Sequence, residues 1–148
     1  MRSYTLERCH EFYKNYISDP AMTYNIYIYN KEKVDNYYQN KVLDTKRRFF
    51  AICYNNKVIG EIQLKRIDFV NLCGTLSIHL INDSVKGKGF GTEAEQLIIE
   101  YAIRELGICT IYADAVHRNL RSIHILDKLG FEHLYDDDIL SYYKFSVD

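Results

Sequence analysis

Tryptophan is absent from the sequence, and proline occurs once in 148 residues. Because no proline- or glycine-rich linker divides the chain, we predict one domain over residues 1–148. The four cysteines (Cys9, Cys53, Cys73 and Cys109) stand far apart and form no C-x-x-C pair, which disfavours a zinc site. Cysteines scattered through apolar runs are typical of small core residues in a reducing compartment, so we predict no metal cofactor.

The sequence also lacks a dominant charge and a long apolar run. Nineteen basic and 20 acidic residues leave a net charge of −1, which argues against nucleic acid as a partner. No stretch approaches the ~18 apolar residues of a membrane span, and the first residues lack the apolar core of a signal peptide. We therefore expect a soluble, cytoplasmic protein, whose 47% hydrophobic content is enough for a proper core.

Tyrosine is abundant: there are 14, and eight of them precede residue 39. The densest run is YNIYIYN, residues 24–30. One interpretation is a tyrosine-rich packing surface. The other is an aromatic wall beside a substrate, and it makes Tyr27 and Tyr29 candidate substrate-binding residues.

The pattern of apolar residues alternates between strand and helix types. Leu76, Ile78 and Leu80 share one face of a predicted strand, and Thr75, Ser77 and His79 share the other. The residues after 90 recur at helical spacing up to Gly107, and Asn119 is placed to cap a later helix that ends at Gly130. We predict helices over 6–17, 31–42, 90–106 and 119–130, and strands over 47–54, 58–67, 74–82, 109–116, 131–135 and 139–147, the first two strands forming a hairpin.

A glycine loop, KGKGFGT (Lys86–Thr92), joins the third of these strands to a helix. Glycine permits positive φ and close approach of a ligand to the backbone, and the free N–H groups of a helix start favour negative charge. Lys86 and Lys88 add positive charge, so the loop suits a phosphate. Neither the dinucleotide pattern G-x-G-x-x-G nor the P-loop ending G-K-S/T is present. The alternative is a simple glycine-rich turn with solvated lysines.

The loop resembles the R/Q-x-x-G-x-G/A motif of the GNAT acetyltransferases, with Lys86 in place of Arg or Gln. The segment NLRSIHILDKLGF, residues 119–131, resembles the second signature of that family, N-x-x-S/A-x-x-x-Y/L-x-K-x-G-F. Its KLGF ending and Ser122 are most similar to the branch that includes the ribosomal-protein N-terminal acetyltransferases. The two motifs together with the predicted strands cover roughly residues 47–135, and residues 1–46 would be the variable, acceptor-side helices.

The resemblance implies an α/β (α+β) GNAT fold. In that fold a central, mixed, mostly antiparallel and twisted sheet of six to seven strands is flanked by about four helices. The strands at 74–82 and 109–116 splay apart, and the pantetheine arm of acetyl-CoA lies between them. By this resemblance the cofactor-binding residues are His79, Leu80, Ile81, Lys86, Gly87, Lys88, Gly89, Phe90, Gly91, Thr92 and Asn119. The alternative role of Asn119 is that of a helix cap alone. The resemblance also implies a homodimer as one option for the oligomeric state.

The side-chain catalysts of the family are not matched. The slot for the general-base glutamate holds Thr75, and the slot for the general-acid tyrosine holds Leu126. We therefore consider His79 as the base, since an imidazole titrates near ~6.5, and Ser122 as the acid. His79 as a structural strand residue and Ser122 as part of a helix cap are the alternatives. Glu61 is a candidate substrate-binding carboxylate whose direction the pattern leaves open.

The resemblance implies an N-acetyltransferase that moves an acetyl group from acetyl-CoA to a primary amine by direct attack in a ternary complex. Proximity alone supplies much of such a rate, and an α-amine with a pKa near ~8 needs less help from a base than a lysine or polyamine near ~10. This favours a peptide N-terminus or a small α-amine as acceptor. Because the glutamate and tyrosine positions hold Thr75 and Leu126, a catalytically silent acyl-CoA-binding sensor is the alternative function. An ordinary nucleotide-binding domain is a third possibility.

Overall fold

The computed structural model describes residues 1–18 and 26–147. These form seven strands and four α-helices, with a π-helical turn at Tyr38–Val42 and a 3₁₀ turn at Asp83–Val85. In chain order the elements are β1 (Arg2–Ser3), α1 (Leu6–Asn15), α2 (Lys31–Tyr37), β2 (Arg48–Tyr54), β3 (Lys57–Asp68), β4 (Cys73–Leu80), α3 (Phe90–Leu106), β5 (Thr110–Val116), α4 (Leu120–Lys128), β6 (Glu132–Asp136) and β7 (Leu140–Ser146). No helix in the described ranges is both long and apolar enough to cross a membrane.

The seven strands form one sheet in the order β1-β2-β3-β4-β5-β7-β6. All neighbours are antiparallel except β4 and β5, which are parallel. The predicted mixed, mostly antiparallel sheet with four helices is therefore confirmed. The two-residue strand β1 was not predicted, because so short a segment has no readable alternation.

Local signals explain most element boundaries. Asn55 and Asn56 adopt positive φ values of 51° and 61°. A two-residue hairpin turn of the kind that joins β2 to β3 requires positive φ at both positions. Gly107 ends α3 at φ 67°, and Asn119 caps α4 by accepting a hydrogen bond from the Ser122 N–H. The first predicted helix ends earlier than expected, at Asn15, and the second changes to a π-turn after Tyr37.

The two faces of the sheet have different coverings. Ile62 and Leu64 are fully buried on the face that also carries Ile78 and Leu80, and α3 packs there through Gly91. The opposite face, which carries Glu61 and His79, is covered by α1 and α2. The predicted alternation of β4 is thus confirmed, because the two sets of side chains meet different layers.

The strands β4 and β5 separate along part of their length. Their pairing runs only from Cys73↔Thr110 to Thr75↔Tyr112. Beyond Thr75, β4 continues to Leu80 and β5 continues to Val116 without pairing to each other. The predicted splay between these two strands is present, and it opens toward the start of α3.

Candidate active site

A cleft of about 290 Å³ lies between β4 and β5, where the two strands separate. Its walls come from both separated strands, from the start of α3 and from α4. The lining residues are Lys65, Leu76, Ser77, Ile78, His79, Leu80, Lys86, Gly91, Glu95, Ala113, Asp114, Ala115, Val116, Asn119, Arg121, Ser122, Ile125, Leu126 and Leu140. One end of this cleft is closed by the Thr75↔Tyr112 pair and the other faces the glycine loop. The shape suits an extended, strand-like ligand.

The glycine loop presents an unpaired helix start to the cleft. Gly89 is the N-cap of α3 at φ 86°, and no side chain caps it. Its carbonyl accepts from Glu93 N–H at 3.0 Å, so the three amides before Glu93 have no partner within the helix. A Cβ atom added to Gly87 or Gly89 would meet no atom within 4 Å, so the space beside these two glycines, at the start of α3, is open. This arrangement suits a phosphate or pyrophosphate group.

The remaining loop side chains differ in their surroundings. The Lys86 ammonium lines the cleft and lies 3.0 Å from Asp83 Oδ1, while Lys88 is exposed. Phe90 packs its ring on Tyr54, with the centroids 5.0 Å apart, and Thr92 is half-buried.

Among residues 1–18 and 26–147, no three His, Cys, Asp or Glu side chains are placed to hold a metal ion together.

The register of β4 with β3 shows which backbone groups of β4 face the cleft. Ile81 N–H donates to Ile59 C=O at 2.8 Å, and the Ile81 carbonyl accepts from Ile17 N–H at 2.8 Å, so neither group is free for a ligand. Residues alternate along an antiparallel ladder, and His79 therefore also points its N–H and C=O toward β3. The backbone groups of Ile78 and Leu80 point the other way, into the cleft. The backbone contacts to the cofactor stay a prediction, and this geometry favours Ile78 and Leu80 for them over His79 and Ile81.

On the α1–α2 side of the sheet, Glu61 is buried, with 1% of its surface exposed. Three tyrosine hydroxyls donate to its carboxylate: Tyr4 at 2.6 Å, Tyr37 at 2.8 Å and Tyr13 at 3.1 Å. Burial, and after it the charge of Glu61, raises the pKa of all three tyrosines, so they remain protonated donors. The direction of Glu61 is now settled: it faces inward, under α1 and α2.

His79 lies directly opposite Glu61 on the neighbouring strand. Its Nδ1 is 3.9 Å from Glu61 Oε1, which is too long for a hydrogen bond but close enough for electrostatic attraction. One third of the side chain is exposed, and the ring packs edge-on against Tyr16 with centroids 6.2 Å apart. His79 also lines the cleft, so it connects the tyrosine-bonded carboxylate with the splay.

The residues in the family's catalytic slots are both buried. Thr75 belongs to the last β4–β5 pair, and Leu126 lines the cleft from α4. Ser122, one turn before Leu126, also lines the cleft, and its N–H donates to Asn119 Oδ1 at 3.2 Å. Its backbone is therefore part of the helix cap while its side chain borders the cleft. Asn119 is the cap and is itself a cleft residue.

The two tyrosines predicted to contact the substrate have different surroundings. Tyr27 packs against Tyr13 and Tyr16 at 5.3 and 5.4 Å between centroids. It borders a second cavity of about 500 Å³, lined by Tyr13, Ile26, Tyr27, Ile28, Lys33, Val34 and Tyr37. The Tyr29 hydroxyl is instead 2.7 Å from Nδ1 of His10. The first tyrosine of this run, Tyr24, lies outside the described residues.

Sequence reasoning missed Glu95. It sits in the second turn of α3, is 3% exposed and lines the cleft. Burial raises the pKa of its carboxyl to about 8. One signal was available: Glu95 lies four residues after Gly91 and three before Ile98, on the apolar face of the helix.

Comparison with known proteins identifies the family. Residues 1–132 match the model of the acetyltransferase (GNAT) domain, so the chain belongs to the GNAT family. The probable N-acetyltransferase YjcK of Bacillus subtilis is 31% identical over 96 residues, which span 64% of this chain and 53% of that protein. The spermidine N(1)-acetyltransferase of Escherichia coli K12 is 27% identical over 99 residues, which span 67% of this chain and 53% of that protein. The chain thus matches about half the length of these relatives.

Solved structures agree in fold. A chimera of the Vibrio cholerae spermidine N-acetyltransferase SpeG superposes with a TM-score of 0.83 at 15% identity, covering 98% of this chain and 93% of that one. The Campylobacter jejuni N-acetyltransferase PseH, in complex with acetyl coenzyme A, superposes with a TM-score of 0.70 at 18% identity, covering 79% of each chain. At these identities the likeness establishes the GNAT fold.

Proposed function

We propose that this protein is an N-acetyltransferase that uses acetyl-CoA and acetylates a primary amine. The observation that carries the proposal is the splay between β4 and β5, which ends at an uncapped helix start with open space beside its glycines. A phosphate-bearing, strand-like ligand fits both features at once. Family membership and the cofactor in the PseH structure point to the same ligand.

The chain's own groups would hold this co-substrate along the cleft. The amides of Phe90, Gly91 and Thr92 and the Lys86 ammonium would bind the pyrophosphate. The backbone of Ile78 and Leu80 would pair with the arm as a neighbouring strand does. A backbone N–H from this stretch would donate to the thioester oxygen, which stabilises the charge that develops there.

His79 is the side chain best placed to take the proton of the amine. It faces the α1–α2 side of the sheet, and its Nδ1 lies 3.9 Å from the buried carboxylate of Glu61. In the reaction the amine nitrogen bonds to the acetyl carbon, the C–S bond breaks and the amine proton passes to His79, directly or through water. The Ser122 hydroxyl would donate a hydrogen bond to the leaving thiolate, which takes its proton from solvent. We assign these two roles as proposals.

The acceptor would enter from the α1–α2 side. The ring of Tyr16 lies between Tyr27, which borders the second cavity, and His79, which borders the cleft. Two of the three tyrosines that bond Glu61, Tyr13 and Tyr37, also border that cavity, so an amine would meet aromatic side chains there. A low-pKa α-amine, as at a peptide N-terminus of the kind acetylated by the ribosomal-protein branch, remains our preferred acceptor. The E. coli relative's name makes spermidine the competing small-molecule acceptor.

The test is a CoA-release assay with a panel of amines, read beside mass spectrometry of the products. The panel contains spermidine, amino acids and short peptides with free or blocked N-termini. Acetyl-CoA-dependent product with any amine supports the enzyme, and loss of signal with blocked peptides supports an α-amine. Tight acetyl-CoA binding without turnover across the panel would replace the proposal with the silent acyl-CoA-binding sensor. A homodimer, a cytoplasmic location and the division at residue 46 stay predictions.

A further inference from the structure

Glu95 is a buried acid that faces the cleft without a partner. Only 3% of its surface is exposed, and its carboxyl has no hydrogen bond or ion pair to any described residue. Its side chain lines the same cleft as Ile78 and Leu80, whose backbones point into it. An isolated carboxylate in such a place is costly, whereas a neutral acid with a ligand partner is not.

Other charged groups line this cleft from every side. They are Lys65 on β3, His79 on β4, Lys86 before α3, Asp114 on β5 and Arg121 on α4. None lies within 4.0 Å of the Glu95 carboxyl as an ion-pair partner. Burial is the cause of the raised pKa, about 8, so the acid is mostly protonated at neutral pH.

Position along the cleft identifies the part of the ligand that Glu95 meets. Gly91 marks the phosphate end, and Glu95 lies four residues further into α3, which is about 6 Å along the helix. The splayed stretch from Leu76 to Leu80 is about 13 Å long, measured from the closed end to the loop. Glu95 therefore lies beside the middle of an arm that reaches from the loop to the closed end, where the pantetheine amides fall.

We propose that Glu95 binds the pantetheine arm as a neutral carboxylic acid, so that acetyl-CoA binding is linked to a proton. The protonated carboxyl offers one O–H donor and one carbonyl acceptor, which match an amide C=O and N–H. Bound cofactor excludes water from the cleft and brings phosphate charge to the start of α3, and both changes disfavour the carboxylate. Above the pKa of Glu95, each cofactor bound takes up a proton. This inference rests on the proposed acetyl-CoA site.

The experiment measures acetyl-CoA affinity by calorimetry between about pH 6 and 9.5, in buffers that differ in ionisation enthalpy. For the wild-type protein, proton uptake should rise toward one per cofactor, and Kd should increase up to about tenfold per pH unit well above the pKa. Glu95→Gln keeps a donor and an acceptor without a titrating proton. It should bind at neutral pH within about threefold of wild type, without proton uptake at alkaline pH. Glu95→Leu should bind about fivefold more weakly at neutral pH, the value of one neutral hydrogen bond.

Two controls separate the possible failures. Glu100→Gln changes an exposed glutamate on the same helix and should keep the wild-type pH profile. The probe 3′-phospho-ADP has the phosphates but no arm, and at pH 6, where Glu95 is protonated, its affinity should be equal in wild type and both Glu95 variants. If wild type binds acetyl-CoA and Glu95→Gln shows the same proton uptake, the role of Glu95 is wrong and the acetyl-CoA site stands. If wild type binds no acetyl-CoA at any pH, the proposed function fails together with this inference.

Discussion

Gly89→Ala tests the assignment of the loop with an internal control for backbone strain. Gly89 and Gly107 stand at the two ends of α3, both at positive φ, and an added Cβ would meet nothing within 4 Å at either. Alanine in the left-handed region costs about 1–2 kcal/mol. Each variant should therefore lower the melting temperature by a similar amount, about 2–4 °C per kcal/mol for a chain of this size.

The two variants should differ in cofactor affinity. A methyl group on residue 89 projects into the open space where we place the pyrophosphate, and it would lengthen or break its hydrogen bonds to the amides of α3. One charge-assisted hydrogen bond contributes about 1.5–3 kcal/mol, so Kd for acetyl-CoA should rise by about 10- to 100-fold. Gly107→Ala removes no such contact and should leave Kd within about twofold.

The assay is titration calorimetry with acetyl-CoA and with acetyl-pantetheine, beside thermal melting of both variants. Wild type should bind acetyl-CoA far more tightly than acetyl-pantetheine, and Gly89→Ala should erase most of that difference. Normal acetyl-CoA affinity in a folded Gly89→Ala protein would refute the phosphate assignment. The loop would then be only a glycine-rich helix start with solvated lysines.

The remaining predictions concern four buried or half-buried side chains. His79→Gln should lower kcat/KM by about 10²-fold with the acetyl-CoA Kd unchanged, and full activity would show that His79 is only a strand residue. Glu61→Gln should reduce the free energy of unfolding by about 1–3 kcal/mol in denaturant titrations, because one of the tyrosine hydroxyls loses an acceptor. Glu95→Gln should melt at a higher temperature than wild type without ligand. In the folded wild-type chain Glu95 stays protonated up to about pH 8, whereas in the unfolded chain it ionises at a lower pH. The free energy of unfolding of wild type therefore falls as the pH rises between these two values. The advantage of the Gln variant grows over the same range, to at most about 5 kcal/mol. Tyr27→Ala should raise the KM for the amine and leave the acetyl-CoA Kd unchanged, whereas a fall in melting temperature with normal kinetics would make Tyr27 a packing residue.

Features that depend on near neighbours along the chain can be predicted from the sequence alone. Three such features are the turn at Asn55-Asn56, the helix end at Gly107 and the helix cap at Asn119. Each involves only a few neighbouring residues, so the residue types predict it. The glycine loop can be predicted for the same reason, because the positive φ at Gly87 and Gly89 is a local backbone conformation that favours glycine. Period-two alternation likewise separates His79 from Ile78 without knowledge of any partner strand.

The partners of each strand face depend on how the layers pack, which the sequence pattern does not reveal. Glu61 is inward because hydroxyls from residues 4, 13 and 37, all distant in sequence, converge on it. The backbone of β4 points into the cleft at Ile78 and Leu80 because the register with β3 assigns the odd-numbered amides to that strand. Alternation reports side-chain direction but not register, and burial is a property of the packed layers. For that reason the glycine loop is recognisable in the sequence, while the partners of Glu61 and the lack of a partner for Glu95 among the described residues are visible only in the fold.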